Sequence, residues 1–363
     1  VYCAEVNKTF FCYGGTTTTS DTHLLHMVSY YDHNTQMVPR PTILLDKGTS
    51  DAHDNPVISV DDEGYIWIFS TAHGTGPPAY IHRSARPYDI DSFQRIEPTK
   101  NGGEPMDNFS YMQAWHVPAV GFVCFFTHYS DPVARTSFFM TSANGVEWTW
   151  IRLAAIHQGH YQISTVTDDK AACAFNYHPN GQGLNYRTNL YYVETPGDPA
   201  FGQTWRAADG TSLTLPLTDP DNDALVYDYQ AEGLKVYLKD IRLDGQGRPA
   251  ILFITSYGWA PGPQNDPRTW RVARWTGQDW QIATVTTSDN NYDTGSLYIE
   301  SETMWRIIGP TETGPQPYNT GGEMAMWISR DGGATWSKGR TLTRASERNH
   351  TYARRPVLSL IHI

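Results

Sequence analysis

Ser329-Arg330-Asp331-Gly332-Gly333-Ala334-Thr335-Trp336 decides the fold. It follows the pattern S-x-D-x-G-x-T-W, the Asp-box. In this hairpin device Ser and Asp side chains satisfy turn amides, glycine takes a positive φ, and Trp packs back on the sheet. A shorter copy is Ser142-Ala143-Asn144-Gly145-Val146-Glu147-Trp148, with Asn in place of Asp. A third, stretched by an insertion, runs from Asp198 through Gly202-Gln203-Thr204-Trp205. Recurrence of one turn with one Trp predicts a repeat protein built from β-hairpins.

The rest of the chain keeps that rhythm. A polar or aromatic opening precedes a short apolar strand, a Gly turn and a second strand. His53-Asp54-Asn55-Pro56 opens Val57–Val60, and Asp61-Asp62-Glu63-Gly64 turns into Tyr65–Phe69. Similar openings stand at Tyr111, His160, Asp240, Asp293 and His350. They are spaced roughly 50 to 80 residues apart, the length of a four-stranded propeller blade with insertions. With one more set of strands in residues 1–50, the pattern predicts an all-β, seven-bladed antiparallel β-propeller forming a single domain over 1–363. The final stretch Val357–Ile363 starts a strand and stops, so the reading expects the natural C-terminus to lie beyond this chain.

Composition fits and excludes. The 363 residues include 30 Gly, 23 Pro, 12 Trp and 22 Tyr, which suits a turn-rich, aromatic β chain. A formal net charge of −11 argues against a nucleic-acid partner. It leaves an anionic polysaccharide open, because a basic cleft can sit on an acidic protein. No run of apolar residues is long enough to span a membrane as a helix. No signal peptide is visible, and a secreted or periplasmic location is the expectation. Cys3 and Cys12 are close enough in sequence to pair in an oxidising compartment, with buried free thiols the alternative.

Several histidines and tyrosines fall where chemistry is carried. His53 and His73 bracket the strand pair Val57–Phe69, and a hairpin of that length returns to its starting end, so both belong at one rim. Tyr111 opens the next unit, and His128 ends its returning strand. His157-x-x-His160 with Cys173 and His178 supplies three nitrogens and one sulfur, a donor set suited to a closed structural zinc site. Tyr177, Asn185 and Arg187 flank a Gly-rich loop and suit a sugar or a carboxylate. Asp240, Asp293 and Glu323 open strands in the second half. Paired carboxylates would suit glycoside hydrolysis, and capping of turns is the alternative.

A family resemblance rests on Ala52-His53-Asp54-Asn55-Pro56, Asn176-Tyr177-His178-Pro179, Arg187-Thr188-Asn189-Leu190-Tyr191-Tyr192, Gly321-Gly322-Glu323-Met324-Ala325-Met326-Trp327 and Asn349-His350-Thr351-Tyr352. Together they resemble the bacterial BNR-repeat family that includes the seven-bladed ulvan lyases. The resemblance implies β-elimination on a uronate polymer, with no catalytic cofactor and with a structural zinc. It implies that His53, His73 and Tyr111 are catalytic. At or beside His128 the lyase pattern carries an arginine. This chain has histidine there, with Arg135 a substitute after a loop. Other expected readings are a hydrolase on a sialidase-like propeller and a non-catalytic carbohydrate-binding propeller.

Overall fold

The computed structural model describes residues 1–16, 23–76, 78–130, 134–183 and 185–356. The described residues are almost wholly β; the one helical turn is the 3₁₀ segment Pro263–Asn265. They form six sheets, five of four strands and one of six, each built around an up-and-down antiparallel run in which consecutive strands are neighbours. The fold is all-β and of the propeller class. The expected strand at 357–363 lies outside the described residues.

The chain packs as two compact units. The first comprises Val1–Leu153, Val166–Asp169 and Arg355; the second comprises Ala154–Thr165 and Lys170–Arg354. Each unit holds its own apolar clusters. In the first, Trp67, Phe69, Phe122, Phe126, Trp148 and Trp150 form one core. In the second, Tyr237, Leu252, Ile254, Trp270, Leu297 and Trp305 form another. Residues from neighbouring sheets meet in each cluster, as expected when every sheet buries both faces.

The Asp-boxes carry the geometry their residues dictate. Ser329 Oγ accepts the Gly333 amide at 2.8 Å, Asp331 Oδ1 accepts the Ala334 and Thr335 amides at 3.1 and 2.9 Å, and Trp336 Nε1 donates to Gly333 O at 3.1 Å. Gly333 has φ +87° and would press a Cβ into the Trp305 ring, so only glycine fits. At 142–148 the same bonds recur: Ser142 Oγ accepts Gly145 N, Asn144 Oδ1 accepts Val146 N and Glu147 N, and Trp148 Nε1 reaches Gly145 O at 3.1 Å. The stretched copy keeps the Trp205 Nε1 to Gly202 O bond at 3.2 Å and uses Thr195 Oγ1 for the turn amide. A carboxamide thus keeps the bonds to the turn amides and gives up only the hydroxyl bond that Thr335 makes to Asp331 Oδ2, because the turn needs an acceptor and not a charge.

Two expectations change. Asp240 does not open a strand: it lies inside Lys235–Leu243, at a register shift between Leu238 and Asp240. Cys3 and Cys12 are free thiols. Cys12 Sγ donates to Pro56 O at 3.3 Å, and burial pushes its thiol up to about 12.

Candidate active site

The second sheet comprises Pro56–Val60, Ile66–Ser70, Tyr80–Ser84 and Phe93–Ile96. Its first two strands pair with Pro56 opposite Ser70, so the residues just before and just after them share one rim. His53 and His73 stand there. Their rings stack with centroids 4.4 Å apart and planes 23° from parallel.

Asp51 lies between them. Its Oδ1 meets His53 Nδ1 at 2.6 Å and its Oδ2 meets His73 Nδ1 at 2.7 Å. The His53 amide also donates to Oδ1, at 2.9 Å. Burial works against the charge on Asp51, but bonds from the His53 amide and both imidazoles outweigh it and hold the carboxyl at about 2. An ionised carboxylate only accepts. Each Nδ1 is therefore a donor, which leaves Nε2 as the nitrogen that can gain or lose a proton. The histidine backbone is fixed as well, since the His73 amide donates to the buried Asp54 carboxylate.

Tyr111 joins this pair from the third sheet, whose strands include Ser110–Val117, Gly121–Tyr129, Arg135–Ser142 and Glu147–Ala154. Its ring stands edge-on to both imidazoles, with centroids 6.1 Å from His53 and 5.7 Å from His73. The pairing slips between Ser110 and Gln113, and Tyr111 has φ +47°, an unusual backbone for a side chain of this size. The strand start is anchored to the histidine loop: Ser110 Oγ donates to Ala72 O, and the Ala72 amide donates to Phe109 O at 2.9 Å. A bulge that re-aims one side chain at a strand end is a recurrent feature of functional sites.

His128 and Arg135 lie on the neighbouring strands of that sheet. His128 packs edge-on against Phe138 and Trp150, and its Nε2 is 3.9 Å from Asp107. Burial lowers its pKa against the opposing pull of Asp107, so the ring is neutral near pH 7. It can donate a hydrogen bond but carries no charge with which to neutralise a carboxylate. Arg135 is buried at the start of its strand, opposite Tyr129 in the register. Tyr129 in turn stands edge-on to His73, 5.4 Å between centroids. The structure therefore brings His53, His73 and Tyr111 together, and it adds Asp51 and Tyr129, which the sequence reading did not single out. Asp51 was visible in the run Asp51-Ala52-His53-Asp54, where a carboxylate two residues before a histidine can reach its Nδ1.

The expected zinc quartet does not assemble. Cys173 and His178 belong to one stretch of chain, and five residues of extended strand separate them by roughly 16 Å, too far to share an ion. His160 is buried, with Nδ1 2.8 Å from Asn176 O and Nε2 accepting the Ile156 amide at 3.1 Å. His157 is exposed, although its backbone bridges to His178. Cys173 is fully buried beside Gln162, and burial raises its thiol pKa. Among the described residues, the trio whose ligand atoms all lie within 4.8 Å of one another is Asp51, His53 and His73.

The remaining residues lie in the second unit. Tyr177 is buried, and its hydroxyl donates to Gln230 Oε1, which makes it part of the packing. Asn185 lines a cavity of about 280 Å³. Arg187 is buried among the rings of Tyr161, Tyr237 and Tyr292. The three carboxylates considered for hydrolysis hold structure. Asp240 accepts the Leu297 amide at 2.9 Å and pairs with Arg242 at 3.3 Å. Asp293 accepts the Gly321 amide at 2.7 Å, and burial raises its pKa. Glu323 accepts the Ser346 amide and hydroxyl at 2.7 and 2.9 Å. Their partners are backbone amides and hydroxyls and, for Asp240, Arg242.

Residues 20–288 match the model of the BNR repeat-containing family. The chain belongs to that family. Among its curated relatives are proteins named ulvan lyase. One, from Pseudoalteromonas sp. (strain PLSV) and named as a PL25 enzyme, is 24% identical over 81% of this chain and 64% of its own length. Another, from Alteromonas sp. (strain LOR), is 23% identical over 84% of this chain and 66% of its own length. This family member thus spans about two thirds of those relatives. Its fold matches a PL25 ulvan lyase solved with a -[GlcA(1-4)Rha3S]- ligand, at a TM-score of 0.73 and 20% identity, covering 93% of this chain and 81% of the other. It also matches the polysaccharide lyase Uly1, at a TM-score of 0.67 and 13% identity, covering 96% of this chain and 81% of the other.

Proposed function

We propose that this chain is a polysaccharide lyase that cleaves a uronate-containing, ulvan-like anionic polymer by β-elimination, acting outside the cytoplasm. The observation that carries the reading is one carboxylate, Asp51, holding two stacked imidazoles with a tyrosine edge-on to both. Kinship with ulvan lyases supports the choice of reaction and polymer.

Elimination needs a base for the C5 proton and an acid for the departing O4. With the C5 proton removed, its electron pair forms the C4–C5 double bond, the C4–O4 bond breaks, and O4 leaves with a proton. His53 and His73 each present Nε2 for proton transfer, and Tyr111 presents a hydroxyl, so one imidazole and the tyrosine share the two proton transfers. The second imidazole eases the build-up of enolate charge only with a proton on Nε2 as well, so that Nε2–H donates to the uronate carboxylate. Arg135, opposite Tyr129 in the register, is the cation we assign to that task, with neutral His128 limited to donating a hydrogen bond.

The test is to incubate the protein with ulvan and follow ultraviolet absorbance of the conjugated, unsaturated uronate. Products with new reducing ends and no such absorbance would end the lyase reading in favour of hydrolysis. Binding without any cleavage would end it in favour of a binding propeller.

A further inference from the structure

The rim of the first unit carries a donor set with a second kind of chemistry. Asp51, His53 and His73 each offer one ligand atom, and all of these lie within 4.8 Å of one another. Two imidazoles and a carboxylate are donors that divalent first-row transition metals favour, whereas calcium and magnesium take oxygen ligands. The stacked rings turn both Nδ1 atoms to the one carboxylate, at 2.6 and 2.7 Å. That carboxyl, held at about 2, is ionised at any working pH and has no proton to give up. The side chains are open to solvent, 55% exposed for His53, 38% for Asp51 and 29% for His73. An ion therefore has a way in and room for water on its remaining positions. Small movements of such side chains bring their donors to the roughly 2.0–2.2 Å that bonds from zinc to nitrogen and oxygen require.

Coordination and proton transfer compete for the same lone pairs. Asp51 holds a proton on each Nδ1. A metal on Nδ1 needs that lone pair, so the proton of a neutral ring moves to Nε2 and an imidazolium releases one to solvent. Nε2 then carries a hydrogen and cannot accept a proton from carbon. A metal on Nε2 fills the lone pair directly. By either route the imidazole that acts as base is lost.

We propose that Asp51, His53 and His73 form a site for a divalent transition-metal cation of the zinc, cobalt or nickel type, and that its occupancy silences the elimination. The metal site rests on the donor set; the silencing rests on the lyase reading above. Three protein donors leave coordination positions open, unlike a closed structural zinc site.

Cobalt is titrated into the whole chain, free of any polyhistidine tag, and followed by its visible absorption, with zinc as the displacing ion. Saturation at submillimolar cobalt is expected, with displacement by zinc and none by calcium or magnesium. Loss of a donor should cost at least the roughly 10- to 100-fold in affinity that loss of an outer-shell partner costs. His53→Ala and Asp51→Asn are each expected to show it. His53 is an exposed side chain, so its removal spares the fold, and circular dichroism checks both variants. The site is overturned if cobalt does not saturate, if both variants bind it as the wild type does, or if calcium displaces it as well as zinc. The initial rate of unsaturated-uronate formation should fall in step with cobalt occupancy and return on adding chelator. Calcium at the same concentration controls for metal taken up by the anionic polymer. Full rate with cobalt bound overturns the silencing and leaves the lyase reading in place. Cobalt binding that the variants lose, in a protein that makes no unsaturated product with or without metal, supports the site and ends the lyase reading.

Discussion

Two groups of histidines look alike in sequence and differ in what holds them. His53 and His73 share a carboxylate, Asp51, and lie at a strand rim with His53 exposed. His160 and His178 are fully buried, and each directs Nδ1 at a backbone carbonyl, Asn176 O at 2.8 Å and Gly159 O at 3.0 Å. A ring held by a carboxylate at an open rim is aimed, with its far nitrogen available for proton transfer. A ring held between backbone groups in a core completes the hydrogen-bond accounting of its neighbours. The partner of Nδ1, more than the spacing of histidines, separates chemistry from architecture here.

The comparison breaks most visibly through activity. His53→Ala and Tyr111→Phe are each expected to lower the elimination rate roughly 10²–10⁴-fold, the contribution of a positioned proton-transfer group. The measurement is initial rate by ultraviolet absorbance, with circular dichroism as a control for folding. Full activity in both variants would remove the rim cluster from the mechanism. Asp51→Asn should cost less, roughly 10–10²-fold, because a carboxamide can still accept from one imidazole while no longer holding both. Its rate profile against pH should shift, which a merely structural role would not produce.

These outcomes bear on what was legible in the sequence. The Asp-box and the strand-turn-strand rhythm were readable because each rests on short-range chemistry: an acceptor, a glycine at positive φ, a packing Trp. The rim pairing of His53 with His73 was readable from hairpin length. Asp51 was harder, since an Asp two residues before a histidine is also an ordinary turn former, and its second partner lies 22 residues on. The zinc quartet was misread because nearness in sequence hid the extended strand between Cys173 and His178. Asp240 was misread as a strand opening because a bulge, invisible in composition, lets the strand begin earlier at Lys235.

The buried pair should behave in the opposite way. His160→Ala leaves the Ile156 amide and Asn176 carbonyl without their imidazole partner. That is expected to cost about 1–3 kcal/mol of stability for each group left unsatisfied, read as a lower denaturation midpoint. Chelator should leave the midpoint of the wild type where it was. A midpoint that falls on chelation and returns with zinc would reinstate a metal in this unit and erase the contrast between the two histidine groups.

The smallest effect expected is acid sensitivity at the rim. Asp51 is held at about 2 by its bonds to His53 and His73, below the roughly 3.9 of a free aspartate. A carboxyl depressed in the folded state contributes stability that is fully present above the unfolded pKa. It is lost as pH falls from roughly 4 through the folded value near 2. The group is partly exposed, so solvent screens the bonds and the contribution is modest. Thermal midpoints of the wild type and Asp51→Asn should therefore differ most above pH about 4 and converge as the pH approaches about 2. Curves that stay parallel throughout would mean that the carboxylate's bonds to the two imidazoles carry no linkage, and that Asp51 does not hold the pair in solution.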